Sequence, residues 1–116
     1  MKTRMAESIV SLKFAKLKKS ALAPVRGSAN SAGWDLFSNE DGSIEPGQRH
    51  LFKSDLVFQF PPGTYGQIVS RAGLALKNGV YAIAGSIDPG YRGNVGVLLL
   101  NGGNEPYYGM QTEQCA

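Results

Sequence analysis

The chain has 116 residues, of which 42% are hydrophobic and 18% charged, and 12 basic against 9 acidic side chains give a net charge of +3. This composition excludes intrinsic disorder, and the length predicts a single domain over residues 1–116. No stretch reaches the roughly 18 to 20 apolar residues of a membrane span, and no apolar signal core follows the basic N-terminus. The lone cysteine, Cys115, excludes an internal disulfide and a thiolate-rich zinc site within one chain. We therefore expect a soluble intracellular protein, cytoplasmic or nuclear, that is not secreted and has no membrane partner.

Four lysines lie near the start of the chain, within and just after a first predicted strand at residues 8–17. They are Lys13, Lys16, Lys18 and Lys19. Clustered lysines can bind the phosphates of a nucleic acid. Apolar and polar residues alternate here, however, which places at least one lysine on the solvent face of the strand. Because no aromatic residues interleave with the lysines, we expect no direct nucleic-acid binding.

Short strands joined by tight turns are predicted for the rest of the chain, which contains fifteen glycines and six prolines. A polar connection follows at residues 18–31, a longer strand at residues 51–60 and a short apolar one at residues 67–69. No segment shows a sustained helical period, so the predicted fold class is all-β. The only histidine, His50, follows a Pro-Gly turn and is expected at the surface.

The segment Ala-Gly-Trp-Asp-Leu-Phe-Ser at residues 32–38 places one carboxylate next to small residues. If this segment is extended, Trp34 and Leu36 point to one face and Asp35 and Phe37 to the other. The small residues before Trp34 indicate close approach of the backbone to a neighbour.

The segment Ser-Arg-Ala-Gly-Leu-Ala at residues 70–75 follows the short apolar strand. Backbone N–H groups in such a small-residue turn can face an anion, and Arg71 can donate charge-assisted hydrogen bonds to phosphate oxygens. The alternative is an arginine on an ordinary surface turn, and the local sequence favours neither.

The most informative segment is Gly-Ser-Ile-Asp-Pro-Gly-Tyr-Arg-Gly at residues 85–93. A strand is predicted to end at Ile87, to turn at the Pro-Gly pair and to resume at residues 95–100, buried on both faces or nearly so. Asp88 is then held where a carboxylate can orient a water, and Tyr91 where a ring can stack on a flat ligand or a sugar. Alternatively, Asp88 only caps the turn.

Taken in order, these three segments resemble the first three motifs of the trimeric dUTPase family. The Pro-Pro-Gly-Thr-Tyr-Gly segment at residues 61–66 also resembles the family, and the similarity runs from about residue 10 to residue 101. Three ordered motifs are more specific than any single one.

The resemblance implies a homotrimer of distorted β-jelly-roll subunits that converts dUTP to dUMP and pyrophosphate with Mg²⁺. By this resemblance Asp88 activates the attacking water, Tyr91 packs beneath the deoxyribose, and Asp35 holds waters around the metal ion. The substrate-binding residues that it implies are Arg71, Ala72 and Gly73 for the phosphates, and Ala82, Gly85, Ser86 and Ile87 in the hairpin that reads the uracil.

The chain also departs from the family pattern. Ala72 stands where a phosphate-contacting serine is usual, Ser70 replaces a proline, and Trp34 replaces a tyrosine. Tyr81 and Ile83 stand where the uracil hairpin often has aspartate and glycine. From about residue 104 the tail is atypical, and a fourth and a fifth motif are not found before the chain stops. We therefore expect a C-terminally shortened dUTPase-like chain, such as a truncated isoform.

Two alternatives to an active diphosphatase stay open. One is a catalytically impaired dUTPase-like protein that binds a nucleotide or has a regulatory role, which the alanine at position 72 favours. The other is a dCTP deaminase of the same superfamily, which Ile87-Asp88-Pro89-Gly90 resembles weakly. Tyr91 and the second motif resemble the diphosphatase more closely.

Overall fold

The computed structural model describes residues 12–26 and 33–109 of the chain. Within these ranges the secondary structure is almost entirely β. In chain order the elements are β1 Lys13–Lys16, β2 Gly42–Ile44, β3 Arg49–Lys53, β4 Leu56–Gln59, β5 Gly66–Gln67, α1 Ala72–Asn78, β6 Val80–Ala84, β7 Ser86–Ile87, β8 Gly96–Asn101 and β9 Tyr107–Gly109. The all-β prediction is confirmed, with α1 as an exception that the sequence did not predict.

The strands form small antiparallel sheets. The largest has the order β3-β8-β6, and three two-stranded ladders join β1 to β4, β2 to β9 and β5 to β7. Strand β8 is central, since it pairs with β3 on one side and β6 on the other. Its alternate residues Val97 and Leu99 are buried and the residues between them half-buried, as predicted for a strand covered on both faces.

The core lies where the three-stranded sheet packs against the surrounding ladders. Its most deeply buried apolar side chains come from β2, β3, β4, β6 and β8, and they are Ile44, Phe52, Leu56, Val80, Val97 and Leu99. The polar side chain of Asn101 is also fully buried. Asn101 donates from Nδ2 to the carbonyls of Ile44 and Glu105, both at 2.8 Å, and so ties β8 to β2 and to the segment before β9.

The prediction of one continuous strand at residues 51–60 is wrong, because the chain turns a corner in the middle of this segment. β3 ends at Lys53 and β4 begins at Leu56. Between them Asp55 has a φ of 58°, a left-handed conformation that aspartate tolerates better than most residues. The hydroxyl of Ser54 at the same corner donates to the carbonyl of Val95. Apolar residues on both sides of the corner concealed this break.

The first predicted strand is confirmed in its second half. β1 covers Lys13–Lys16, all four residues are exposed, and β1 pairs with β4 in the register Phe14 to Phe58. Residues 8–11 lie outside the described residues, so that part of the prediction is not tested.

His50 lies on β3 rather than in a turn, which corrects the prediction. Its ring packs edge-on against Phe52 with 4.4 Å between ring centroids, and the side chain is 36% exposed. The imidazole therefore covers the core residue Phe52 instead of projecting freely into solvent.

Candidate functional site

A cavity of about 350 Å³ opens beside β7 and the turn that follows it. Its lining includes five of the residues predicted for the site, which are Gly85, Ser86, Ile87, Asp88 and Tyr91. Apolar side chains of neighbouring elements complete the wall, among them Leu51, Ile68 and Leu98. The cavity thus combines apolar walls with a few polar groups at one end, as small-molecule sites do.

The turn at the mouth of the cavity is held by its own backbone. The N–H of Tyr91 donates to the carbonyl of Asp88 at 3.0 Å, which closes a β-turn around Pro89 and Gly90. The guanidinium of Arg92 donates to the carbonyls of Pro89 at 2.7 Å and of Tyr91 at 3.1 Å. Asp88 is exposed and lines the cavity. Its carboxylate is therefore carried by an ordered turn and can reach a bound water or ligand.

Tyr91 is held at the hydroxyl end of its side chain. Its hydroxyl donates to the carbonyl of Asn94 at 3.1 Å. The ring lies so close over Gly93 that a Cβ there would overlap it. With 46% of the residue exposed, the ring keeps a free surface toward the cavity.

A buried polar cluster lies behind this turn, and it was not predicted from the sequence. The carboxylate of Asp55 accepts one hydrogen bond from Asn39 Nδ2 and one from Asn94 Nδ2, both at 2.7 Å. The N–H of Asp55 donates in return to Asn94 Oδ1 at 3.0 Å. The only local signal for the cluster is an Asp between two apolar runs, which also fits a simple turn.

The hydrogen bond from Asn39 is the main cause that lowers the pKa of Asp55 below its ordinary value of 3.8. The bond from Asn94 and the charge of Lys18 lower the pKa further, against an opposing effect of burial. Lys18 Nζ lies 3.7 Å from the carboxylate and is largely exposed, so it acts as a weak partner. Asp55 is therefore ionised at neutral pH, although it is buried.

The second motif, at residues 70–75, was predicted to bind phosphates, and it lies at the start of α1. Arg71 is the N-cap residue of this helix, and Ala72 and Gly73 form its first turn. None of the three lines the cavity described above. Just before them, the hydroxyl of Ser70 accepts a hydrogen bond from the N–H of Ala82 at 2.9 Å. The structure therefore links this segment to β6 but does not bring it to Asp88 within one chain.

Asp35 is held by the backbone in an isolated bridge to Val25, with N–O distances of 2.6 and 3.2 Å. It is half-buried and is not part of the cavity lining. Within residues 12–26 and 33–109, no three His, Cys, Asp or Glu side chains cluster as a metal cage. Asp35 is the one carboxylate that the resemblance implies for a metal, and Mg²⁺ usually combines one or two carboxylates with waters and substrate phosphates.

Comparison with known proteins agrees with the fold. The dUTPase family model matches residues 19–115 of the chain. The chain belongs to the dUTPase family. The deoxyuridine 5'-triphosphate nucleotidohydrolase of Mus musculus is 46% identical over 106 residues, which cover 91% of this chain and 65% of the mouse protein. The mitochondrial protein of that name from Homo sapiens is 47% identical over 96 residues, or 83% of this chain and 38% of the human one. The chain thus spans between 38% and 65% of the length of these two dUTPase relatives.

Solved dUTPase structures share the mostly-β, jelly-roll type of fold. The dUTPase of phage phi11 of S. aureus superposes with a TM-score of 0.86 at 25% identity, covering 91% of this chain and 86% of that one. The Staphylococcus bacteriophage 80alpha dUTPase gives 0.85 at 26% identity with the same coverage. The phi11 structure describes a structural Mg(II) ion, and an 80alpha mutant was solved with dUpNHpp. In the part of this chain that the structure describes, no helix is long and apolar enough to cross a membrane.

Proposed function

We propose that this chain hydrolyses dUTP to dUMP and pyrophosphate with Mg²⁺, inside the cell. Such an activity limits uracil incorporation into DNA and supplies dUMP for thymidine nucleotide synthesis. The observation that carries the proposal is the cavity itself, in which a dUTPase-family chain holds Asp88 and Tyr91 on one ordered turn beside Gly85, Ser86 and Ile87.

Asp88 is proposed as the general base. Its carboxylate takes a proton from a water, the water oxygen forms a bond to the α-phosphorus, and the bond from that phosphorus to the oxygen bridging the α and β positions breaks, so that pyrophosphate leaves with its electrons. Such chemistry depends mainly on positioning, and the backbone hydrogen bond between Asp88 and Tyr91 supplies it at this turn. A general base in this role contributes typically about 10²- to 10⁴-fold in rate.

Tyr91 and the adjoining strands are proposed to bind the nucleoside. The exposed face of the Tyr91 ring can pack beneath a deoxyribose and reject a 2′-hydroxyl by steric overlap. The backbone between Ala82 and Gly85 can read the uracil edge, and it adjoins the cavity at Ala84 and Gly85.

The phosphate and metal groups are proposed to come from another copy of the chain in a homotrimer. Arg71, Ala72 and Gly73 do not line the cavity of their own chain, and neither does Asp35. A shared site would bring the phosphate-binding segment of one copy to the Asp88 turn of the next. When bound, Mg²⁺ neutralises phosphate charge, and Asp35 would hold it through water.

A second candidate is a nucleotide-binding member of the family that hydrolyses slowly or not at all. Ala72 favours it, because an alanine in the first turn of α1 offers no side-chain hydroxyl to a phosphate. Loss of one donor to developing charge costs about 10²-fold or more in rate. This candidate shares the cavity and differs only in turnover.

The test is pyrophosphate release by the purified chain with Mg²⁺, from dUTP, dCTP, dTTP and UTP in parallel. We expect release from dUTP alone, and none from an Asp88→Asn variant of unchanged fold. A light-scattering mass of three chains is expected in the same sample. Activity that survives in Asp88→Asn would show that another group is the base. Binding of dUTP without release would favour the second candidate, and a monomeric mass would contradict the shared site.

A further inference from the structure

Two pairs of hydrogen bonds hold the segment at residues 94–95 against the corner between β3 and β4. The side chain of Asn94 is held by residue 55 twice, through Nδ2 to the Asp55 carboxylate and through Oδ1 to the Asp55 N–H. Val95 is held next to it, since its carbonyl accepts from the N–H of Ser54 at 3.0 Å and its N–H donates to the carbonyl of Leu56 at 2.9 Å. The position of this segment is therefore determined by a corner about forty residues earlier in the chain.

The same segment carries the acceptor for Tyr91. The hydroxyl of Tyr91 donates to the carbonyl of Asn94, whose side chain is the one that Asp55 holds. Asp55, Asn94 and Tyr91 are thus linked by hydrogen bonds, from the buried Asp55 carboxylate through Asn94 to the Tyr91 ring in the cavity wall.

Asp55 is also suited to hold its partner rigidly. The residue is only 5% exposed, and its second oxygen is occupied by Asn39 at 2.7 Å. Hydrogen bonds to an ionised acceptor are shorter and stronger than neutral ones. A buried carboxylate with donors on both oxygens has little freedom to rotate away from Asn94.

We propose that Asp55 is a positioning residue that, through Asn94, sets the orientation of Tyr91 and so sets the preference of the site for 2′-deoxy over ribose nucleotides. The inference rests on the proposed function for the sugar that Tyr91 contacts. It adds a buried residue outside the three motifs to the groups that determine specificity. A purely structural Asp55 would change stability and leave this preference unaltered.

The test compares the affinities of dUMP and UMP by titration calorimetry, so that it requires no hydrolysis. The parent chain is expected to prefer dUMP. In Asp55→Asn the ratio of the two affinities is expected to fall about tenfold, the equivalent of one hydrogen bond to a charged group. Asparagine tolerates the positive φ of position 55, so the corner itself is kept. Tyr91→Phe removes only the hydrogen bond from the Tyr91 hydroxyl to Asn94 and is expected to lower the affinity ratio similarly. The core is not affected by this change, because the side chain is exposed.

Asn101→Ala is the matched control, because Asn101 is a fully buried polar residue whose side chain makes three hydrogen bonds and does not line the cavity. It is expected to lower stability and leave the affinity ratio unchanged. In the double variant Asp55→Asn, Asn94→Asp the donors and acceptors are exchanged and every bond of the pair can form again, so the ratio is expected to return toward the parent value.

The outcomes separate the inference from the proposed function. An unchanged ratio in Asp55→Asn or in Tyr91→Phe overturns the inference, as does an equal loss in Asn101→Ala or a double variant that does not recover. A parent chain without preference for dUMP also overturns it. A parent chain that prefers dUMP but releases no pyrophosphate from dUTP refutes the proposed hydrolysis alone.

Discussion

Asp55 makes the stability of the fold depend on pH in a defined direction. Its pKa is lowered in the folded protein, chiefly by the hydrogen bond from Asn39. The unfolded chain therefore binds a proton at this position more readily than the folded one. The stability that the carboxylate contributes is complete above its unfolded pKa of about 3.9, and it is lost as the pH falls through the lower folded value.

The magnitude follows from the two hydrogen bonds of 2.7 Å that the carboxylate accepts. A hydrogen bond to a charged group contributes roughly 1.5–3 kcal/mol, and the burial of the charge opposes part of this. In Asp55→Asn one of the two oxygens becomes an amide nitrogen that faces another donor. We expect this variant to lose about 2–3 kcal/mol in the free energy of unfolding at pH 7.

The assay is urea unfolding of the parent and Asp55→Asn proteins between pH 7 and pH 2.5, at one protein concentration. Urea is preferred because it does not screen charges as a guanidinium salt does. The two proteins differ only at position 55, so the difference between them isolates the contribution of that side chain. We expect the difference to be largest at neutral pH and to shrink once the pH falls below about 3.9. A difference that stays constant across the whole range would refute the assignment of this stability to the ionised carboxylate.

Three further predictions test the core and the second motif. Phe52 is 1% exposed, so Phe52→Ala is expected to cost about 3–5 kcal/mol in the free energy of unfolding. Leu76 is 87% exposed, so Leu76→Ala is expected to cost under about 0.5 kcal/mol. Equal losses in urea unfolding would contradict the described core. Ala72→Ser is expected to raise kcat for dUTP by about 10²-fold by restoring a phosphate donor, and steady-state kinetics that show no gain would mean that another group supplies it. Ser70→Ala frees the N–H of Ala82 from its 2.9 Å bond and is expected to change the affinity for dUMP in calorimetry; an unaltered affinity would place that N–H outside the base-binding surface.

The sequence predicted those parts of the site that lie within one short segment. Asp88 and Tyr91 are three residues apart on a turn whose Pro-Gly pair has a known geometry, so local rules were sufficient to place them together. The alternation of buried and half-buried residues along β8 was equally predictable, because this period of two persists over the whole length of the strand.

The remaining features depend on contacts that no local pattern records. Asp55 and Asn94 are 39 positions apart, and their pairing follows from the tertiary fold. Helix α1 has seven residues with Leu74 as its buried one, which is too few to produce a detectable helical period. The break at Asp55 was hidden because apolar residues lie on both sides of it.

The central position of β8 has a consequence for when the site can form. β3 cannot pair until its partner exists, since Arg49 lies opposite Leu100 and Lys53 opposite Gly96. Pairings between residues far apart in the sequence delay folding, because a long loop must close, at a cost in chain entropy, before the stabilising contacts form. The Asp88 turn is synthesised before β8, and the wall that Gly96 and Leu98 add to the cavity forms only when that strand pairs with β3 and β6. An isolated peptide of residues 85–93 is thus expected to lack the cavity, and a chain emerging from the ribosome to gain it in one of the last steps of folding.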